Sequence, residues 1–252
     1  MEVHHPHLPH GRKGFKEYFL EFIMIFLAVT LGFLAESLRE HLSDNKKEKE
    51  YIHSLISDLQ QDTTNINLIT KLLFKNIRGQ DSLINLLQDY QDNDSLNRKC
   101  YFYYITATCN FPLMYFSERT INQLLNTGNM RLITKNGISD SIMNYNSIVK
   151  GVVLQGQYYN EQFKKTFDFS TNLFDFTFAR SPLQENFKVK PLNNFNTTRF
   201  KLVSTDELIR KKYVSNLIML QTIIGTYLID LKFASEYEKK LIVLLKKKYG
   251  IE

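Results

Sequence analysis

The sequence predicts an all-α protein. One N-terminal transmembrane helix continues into a long-helix antiparallel bundle, with a loop or small hairpin inserted near residues 175–203. Three observations predict this. Proline occurs only at Pro6, Pro9, Pro112, Pro182 and Pro191, so long stretches are free of the residue that breaks helix interiors. Phe22–Ala35 is an uncharged apolar run. Three separate segments place their seam residues at alternating steps of three and four.

The bulk composition sets the outer bounds. The chain has 252 residues, with 43% hydrophobic and 13% aromatic residues, which fits a folded protein and excludes disorder as its main state. Two cysteines are too few for a disulfide scaffold or a Cys-rich zinc module. The net charge of +6 is modest, and no base-reading motif accompanies it, so no nucleic-acid partner is expected.

The first element is the membrane segment. Extending Phe22–Ala35 back to Tyr18 gives about 18 residues, slightly below the roughly 20 that cross a hydrocarbon core, and includes Glu21 near one end. A soluble core helix this uniformly apolar would need protein on every side. A cleaved signal peptide would need small residues before the cut, and Phe33 is too large. The reading is an uncleaved single-span anchor in the cell inner membrane: residues 1–16 form a His-rich polar tail, 17–36 the span and 37–252 the helical bundle domain. Arg12, Lys13 and Lys16 nearly balance Arg39, Lys46, Lys47 and Lys49 across the span. The reading favours the N-terminus in the cytoplasm and the bulk domain on the external, periplasmic side.

The helices follow in order. Ile52, Leu55, Leu59, Ile66, Ile69 and Leu73 form the first seam, interrupted by polar Asp62. A shorter helix is expected around Ser82–Tyr90, after Gly79. Asp89, Asp92, Asn93 and Asp94 form a polar turn that lacks the glycine and closing glutamate of a calcium loop. Leu96–Thr108 is expected to be helical and to carry the aromatic patch Tyr101–Tyr104. Ser117 offers an N-cap for a helix with Ile121, Leu124 and Leu125, which Gly128 ends. Ile138, Ile142, Tyr145, Val149, Val152, Gly156, Tyr159 and Phe163 form the second seam. Val214, Leu217, Gln221, Ile224, Leu228, Leu231, Ser235, Glu238, Ile242 and Leu245 form the third, opened by a Ser204–Glu207 capping box. The seams bury against one another or against another copy. Between them, Phe176–Phe178, Phe187–Lys190 and Phe200–Val203 alternate, consistent with a functional loop or an insertion anchored by buried phenylalanines.

Few residues carry recognisable chemistry, and no catalytic residue or cofactor is expected. Glu50 and His53 have the spacing of a di-iron half-motif, but the second half is missing, so a structural or solvated His53 is expected. His4, His5, His7 and His10 are the candidate metal ligands, because closely spaced neutral imidazoles bind zinc, copper or nickel. Cys100 and Cys109 lie about 13 Å apart on a straight helix, too far for a bridge, and read as ordinary buried thiols. Lys239, Lys240, Lys246, Lys247 and Lys248 read as a solvated face complementing a helix end, with contact to lipid phosphates as the alternative.

The stretch Met1–Asp62 resembles uncharacterised single-span, helical membrane proteins common in Bacteroidetes. The resemblance rests on His4-His5-Pro6-His7, Lys16-Glu17-Tyr18-Phe19-Leu20-Glu21-Phe22, Phe26-Leu27-Ala28-Val29, Gly32-Phe33, Ala35-Glu36, Arg39-Glu40, Lys49-Glu50-Tyr51-Ile52, Leu55 and Asp58-Leu59. Leu125–Ile133 is similar to a second segment of that family. The resemblance implies a membrane anchor and a helical domain, and supplies no catalytic residues. The functional expectation is a membrane-anchored interaction or sensor-like module. Its partners would be the bilayer and either a second copy or another membrane or envelope protein. The alternatives are metal handling by the histidine tail, or an enzyme with a site in the bundle and the 175–203 loop.

Overall fold

The computed structural model describes residues 14–177 and 199–251. Among them the protein is all-α: α1 (Phe15–Gln88), α2 (Asp94–Tyr103), a π-helical turn (Tyr104–Thr108), α3 (Arg119–Asn126), a short 3-10 turn (Asn129–Leu132), α4 (Ile138–Ser170) and α5 (Glu207–Tyr249). The chain divides into two compact units, Met1–Ile52 and His53–Glu252, with α1 continuous through the division.

The first unit holds the apolar part of α1. Glu17 accepts from the Gly14 N–H at 3.2 Å, which satisfies one of the free donors at the helix start. Phe22, Ile25, Leu31 and Leu34 are all exposed and are spread around the whole helix circumference. The Thr30 hydroxyl donates to the Phe26 carbonyl at 2.7 Å, so this polar group is satisfied within the helix itself. Beyond the apolar run, Arg39 pairs with Glu36 and Lys47 with Asp44 in exposed pairs one turn apart.

The second unit is built on three long helices. Thr63 meets Glu238, while Gln221 meets Asp81, so α1 and α5 run antiparallel. Tyr145 also meets Glu238, Gln155 meets Thr226 and Thr166 meets the Asn216 carbonyl, so α4 and α5 are antiparallel too. Hence α1 and α4 run the same way, and the chain between them must return along the bundle. All three seams turn inward. Ile66 and Leu73 of α1, Val152 and Tyr159 of α4, and Leu220, Ile224, Tyr227 and Leu231 of α5 share one buried cluster.

The return is made by an extended strap, Asn110–Glu118, that lies along α1. The Asn76 amide donates to the Asn110 carbonyl at 2.8 Å, and Asp62 accepts from the Ser117 N–H at 2.9 Å. From Asn76 to Asp62 an α-helix advances about 21 Å. The seven steps from Asn110 to Ser117 cover that length only when nearly extended, at about 3.3 Å each. Extended backbone with no neighbouring strand needs side chains for its hydrogen bonds. Asp62 and Asn76 supply them from α1, and Tyr227 supplies one from α5, accepting from the Met114 N–H at 3.0 Å.

Four local expectations are corrected. α1 does not stop before Ser82; it runs through Gly79 to Gln88. Gly79 is there because a Cβ would lie 2.4 Å from the Ala107 Cβ, so the π-helical turn can approach only a glycine. Ser117 is not a helix N-cap. It lies in the strap, α3 starts after Glu118 without a side-chain cap of its own, and Asp58 supplies that function from α1. The Leu96–Thr108 helix divides into α2, capped by Asn93, and the π-helical turn. At the start of α5 the capping carboxylate is Asp206, accepting from the Ile209 N–H at 2.9 Å, and the Ser204 hydroxyl accepts from Asp206 instead. Gly128, at φ 68°, does close α3 as the sequence suggests.

The inserted segment is described only at its two ends. Phe174 and Leu202 make one isolated antiparallel bridge. Phe174 and Phe200 bury against Tyr101, Tyr104 and Tyr213 in an aromatic cluster, with Phe176 packed beside them. Phe178, Pro182, Phe187–Lys190 and Pro191 lie outside the described residues.

Candidate functional site

The most chemically distinctive place in the second unit is a buried carboxylate centre where α1, α4, α5 and the strap meet. Asp58, Asp62, Ile66, Ile69, Leu73, Asn76 and Gln80 share one face of α1, because their spacing follows steps of three and four. The apolar members join the seam, and the polar ones face the strap or its approach. Asp62 is 1% exposed and Glu238 fully buried. A buried carboxylate needs partners for its charge or a proton to remove it.

Asp58 and Asp62, one turn apart, are partnered differently. Asp58 accepts from the Arg119 guanidinium at 3.0 Å and from both the hydroxyl and the N–H of Thr120. A cation therefore balances it. Asp62 takes the Ser117 N–H between both of its oxygens, at 2.9 and 3.0 Å, and lies 3.3 Å from the Tyr145 hydroxyl. Tyr145 is in turn 3.0 Å from Glu238 Oε1. The Thr63 hydroxyl sits 3.0 Å from Glu238 Oε2 and 2.9 Å from the Leu59 carbonyl.

Counting protons settles what the arrangement prefers. The Tyr145 hydroxyl carries one proton and stands between two carboxylates. If both were ionised, that proton could serve only one of them. With one proton added, Glu238 donates to the tyrosine oxygen, the tyrosine donates to Asp62, and the chain of bonds closes. The electrostatics agree. Burial pushes the Glu238 carboxyl up to about 7, opposed by its bonds to Thr63 and Tyr145 and reinforced by the nearby Asp62 charge. Burial also raises Asp62, against the Ser117 and Tyr145 bonds that lower it. Tyr145 is pushed far up by burial and by both carboxylates, so its phenol keeps its proton.

The residues singled out from sequence do not gather here. His4, His5, His7 and His10 lie outside the described residues. Glu50 and His53 are both exposed. No group of three or more His, Cys, Asp or Glu suited to a metal occurs among the described residues. Cys100 is buried, with its thiol pushed up to about 12 by burial, whereas Cys109 is exposed, contrary to the expectation of two buried thiols. The residue as a whole is exposed, yet burial of its thiol still pushes Cys109 up, against its bond to Tyr104. In the polar turn, Asp92 accepts from Tyr90 and Asn97, which gives it a structural role. Lys246, Lys247 and Lys248 sit in the last turn of α5, where positive charge complements the helix dipole. Lys135 reaches the same end, donating to the Lys248 carbonyl and lying 4.0 Å from the Tyr249 ring centre.

From the sequence, Asp62 reads only as an interruption of a seam and Glu238 only as a seam member. The available signal was that two acids occupy inward positions on two different seams. No family model matches the chain, and no curated protein or solved structure matches it either.

Among the described residues two helices, α1 and α5, are long and apolar enough to cross a membrane. They differ in environment. None of the apolar window of α1 is buried, whereas one third of that of α5 is, 33%.

Proposed function

We propose that the protein is a single-pass, membrane-anchored helical module that serves interaction or sensing rather than catalysis. The span is the Tyr18–Ala35 part of α1, and α1 carries it directly into the bundle. The observation that supports this most is the exposure of Phe22, Ile25, Leu31 and Leu34 around the whole circumference of one helix. A solvated surface of that kind is unfavourable in water and natural in lipid. α5 is read as a bundle helix, because Leu231, Glu238 and Leu245 are buried along it and its acid meets Tyr145. The resemblance of Met1–Asp62 to single-span proteins of Bacteroidetes supports the same reading. The bulk domain is placed outside the inner membrane, and its partner is a second copy or another envelope protein.

The test has two parts. Alkaline extraction of membranes is expected to leave the full chain in the lipid fraction, and a reporter fused after Glu252 is expected to register the external side. Release into the soluble fraction would remove the anchor. Size measurement after mild detergent extraction is expected to show a complex, and a bare monomer with no retained partner would remove the interaction role.

A second reading rests on four histidines within the first ten residues. It assigns the tail to zinc, copper or nickel handling. Deleting Met1–His10 is then expected to abolish binding of these ions, and unchanged binding would end that reading.

A further inference from the structure

We propose that Asp62, Tyr145 and Glu238 form a proton-operated latch that holds the C-terminal third of α5 against α1 and α4 when it carries one proton and loosens that contact when the proton leaves. The latch goes beyond membrane anchoring, and only the use of lipid nanodiscs in its test rests on that reading.

The geometry carries the proposal. Tyr145 Oη lies 3.0 Å from Glu238 Oε1 and 3.3 Å from Asp62 Oδ2, so one phenol is shared by carboxylates from two different helices. Around them, α1 presents Asp58 and Thr63, the strap presents both the N–H and the hydroxyl of Ser117 to Asp62, and α5 presents Lys239. The Arg119 guanidinium is bonded to Asp58, leaving no cation bonded to the Asp62–Glu238 pair among the described residues. Lys239 is exposed and acts on Glu238 only weakly, as the last of the influences on it. Losing the shared proton therefore leaves two buried negative charges facing each other across one hydroxyl, and separation of α5 from α1 relieves them.

Loosening is confined by the other ties of α5. Gln221 bonds to Asp81 at 2.8 Å and to the Ile77 carbonyl, and Gln155 bonds to Thr226 at 2.7 Å. These contain no titrating pair of like charge. The N-terminal half of α5 thus serves as an internal control for the C-terminal third.

The experiment is hydrogen exchange on the full chain in lipid nanodiscs at about pH 6 and about pH 8.5, corrected for the intrinsic pH dependence of exchange. Backbone amides over residues 234–245 are expected to lose protection by about tenfold at the higher pH. One-proton linkage acts only below the folded-state value of about 7, so the rise from about pH 6 allows roughly tenfold and the effect levels off above neutrality. Amides over residues 214–224 are expected to hold. Glu238→Gln is expected to remove the pH response, since a neutral amide fills the acid's place at every pH. Equal loss across both segments, or an unchanged response in the variant, would overturn the latch. If Glu238→Gln does not fold, carbon-13 carboxyl spectra of glutamate-labelled wild-type protein decide instead. One glutamate titrating near neutrality supports the latch, and titration of every glutamate below about pH 5.5 overturns it.

Discussion

The two ends of the second unit bury tyrosines to the same degree and use them differently. At the aromatic end, Tyr104 stacks on Phe174 with ring centres 4.2 Å apart, and its hydroxyl meets the neutral Ser170 hydroxyl at 2.9 Å. At the polar centre, the Tyr145 hydroxyl is flanked by two carboxylates. Both rings bury apolar area. Only the second has its hydrogen-bonding satisfied or broken by the arrival of a proton. Burial alone therefore does not tell whether a tyrosine is a structural filler or a reporter of pH; the partner of its hydroxyl does.

The comparison can be broken most severely at the aromatic end. Phe174→Ala removes a ring that lies within 6 Å of Tyr101, Tyr104 and Tyr213 and is 1% exposed. It is expected to cost about 3–5 kcal/mol, measured by denaturant unfolding, with little dependence on pH. A pH-dependent loss would mean that the two ends are coupled.

The next effect belongs to the polar centre. Glu238 binds its proton more tightly in the folded state, up to about 7 against an ordinary 4.5. Its contribution is fully present below about 4.5 and is lost as the pH rises through 7, because the folded state then holds a proton that the unfolded state has released. The raised Asp62 acts in the same direction. The difference corresponds to roughly 3 kcal/mol. Asp92 and Glu207 are held below the ordinary carboxylate range by their partners and act the opposite way, at more acid pH. The measurement is the difference in melting temperature between wild type and Glu238→Gln across pH 5 to 8.5. It is expected to shift against the wild type as the pH rises from 5 to about 7 and to level off above that, and a flat difference throughout would contradict the assignment.

Gly79→Ala probes the contact between α1 and the π-helical turn. A Cβ placed 2.4 Å from Ala107 forces the turn away, at an expected cost of about 1–3 kcal/mol in thermal unfolding. The smallest expected effect sharpens the comparison best. Tyr104→Phe removes one neutral hydrogen bond and is expected to cost about 1 kcal/mol at any pH. Tyr145→Phe removes the shared hydroxyl and is expected to change the pH dependence of stability as well as its level. Parallel pH profiles for the two variants would erase the distinction between the ends.

Much of the fold was legible because helices announce themselves locally. The second seam from Ile138 to Tyr159 is buried at every seam position, and the third is buried or half-buried from Val214 to Leu245. Asp62 and Glu238 were visible as acids on inward positions, but a polar seam residue has no meaning until its partner is known. Those partners are distant in sequence: Ser117 and Tyr145 for Asp62, Tyr145 and Thr63 for Glu238. Gly79 read as a helix end because glycine costs helix stability, yet tight packing on Ala107 outweighed that preference.

By itself, then, the sequence determined the helical class, the three seams, the exposed apolar stretch of α1 and the glycine stop after α3. All of these follow from residue periodicity and backbone preference within a few turns. Tertiary structure alone decided the extended path of Asn110–Glu118, the cap lent to α3 by Asp58, and the meeting of two acids at one phenol. The physical reason is that buried backbone and charge must find hydrogen-bond partners wherever the packing places them, and periodicity along one helix carries no information about the element lying opposite.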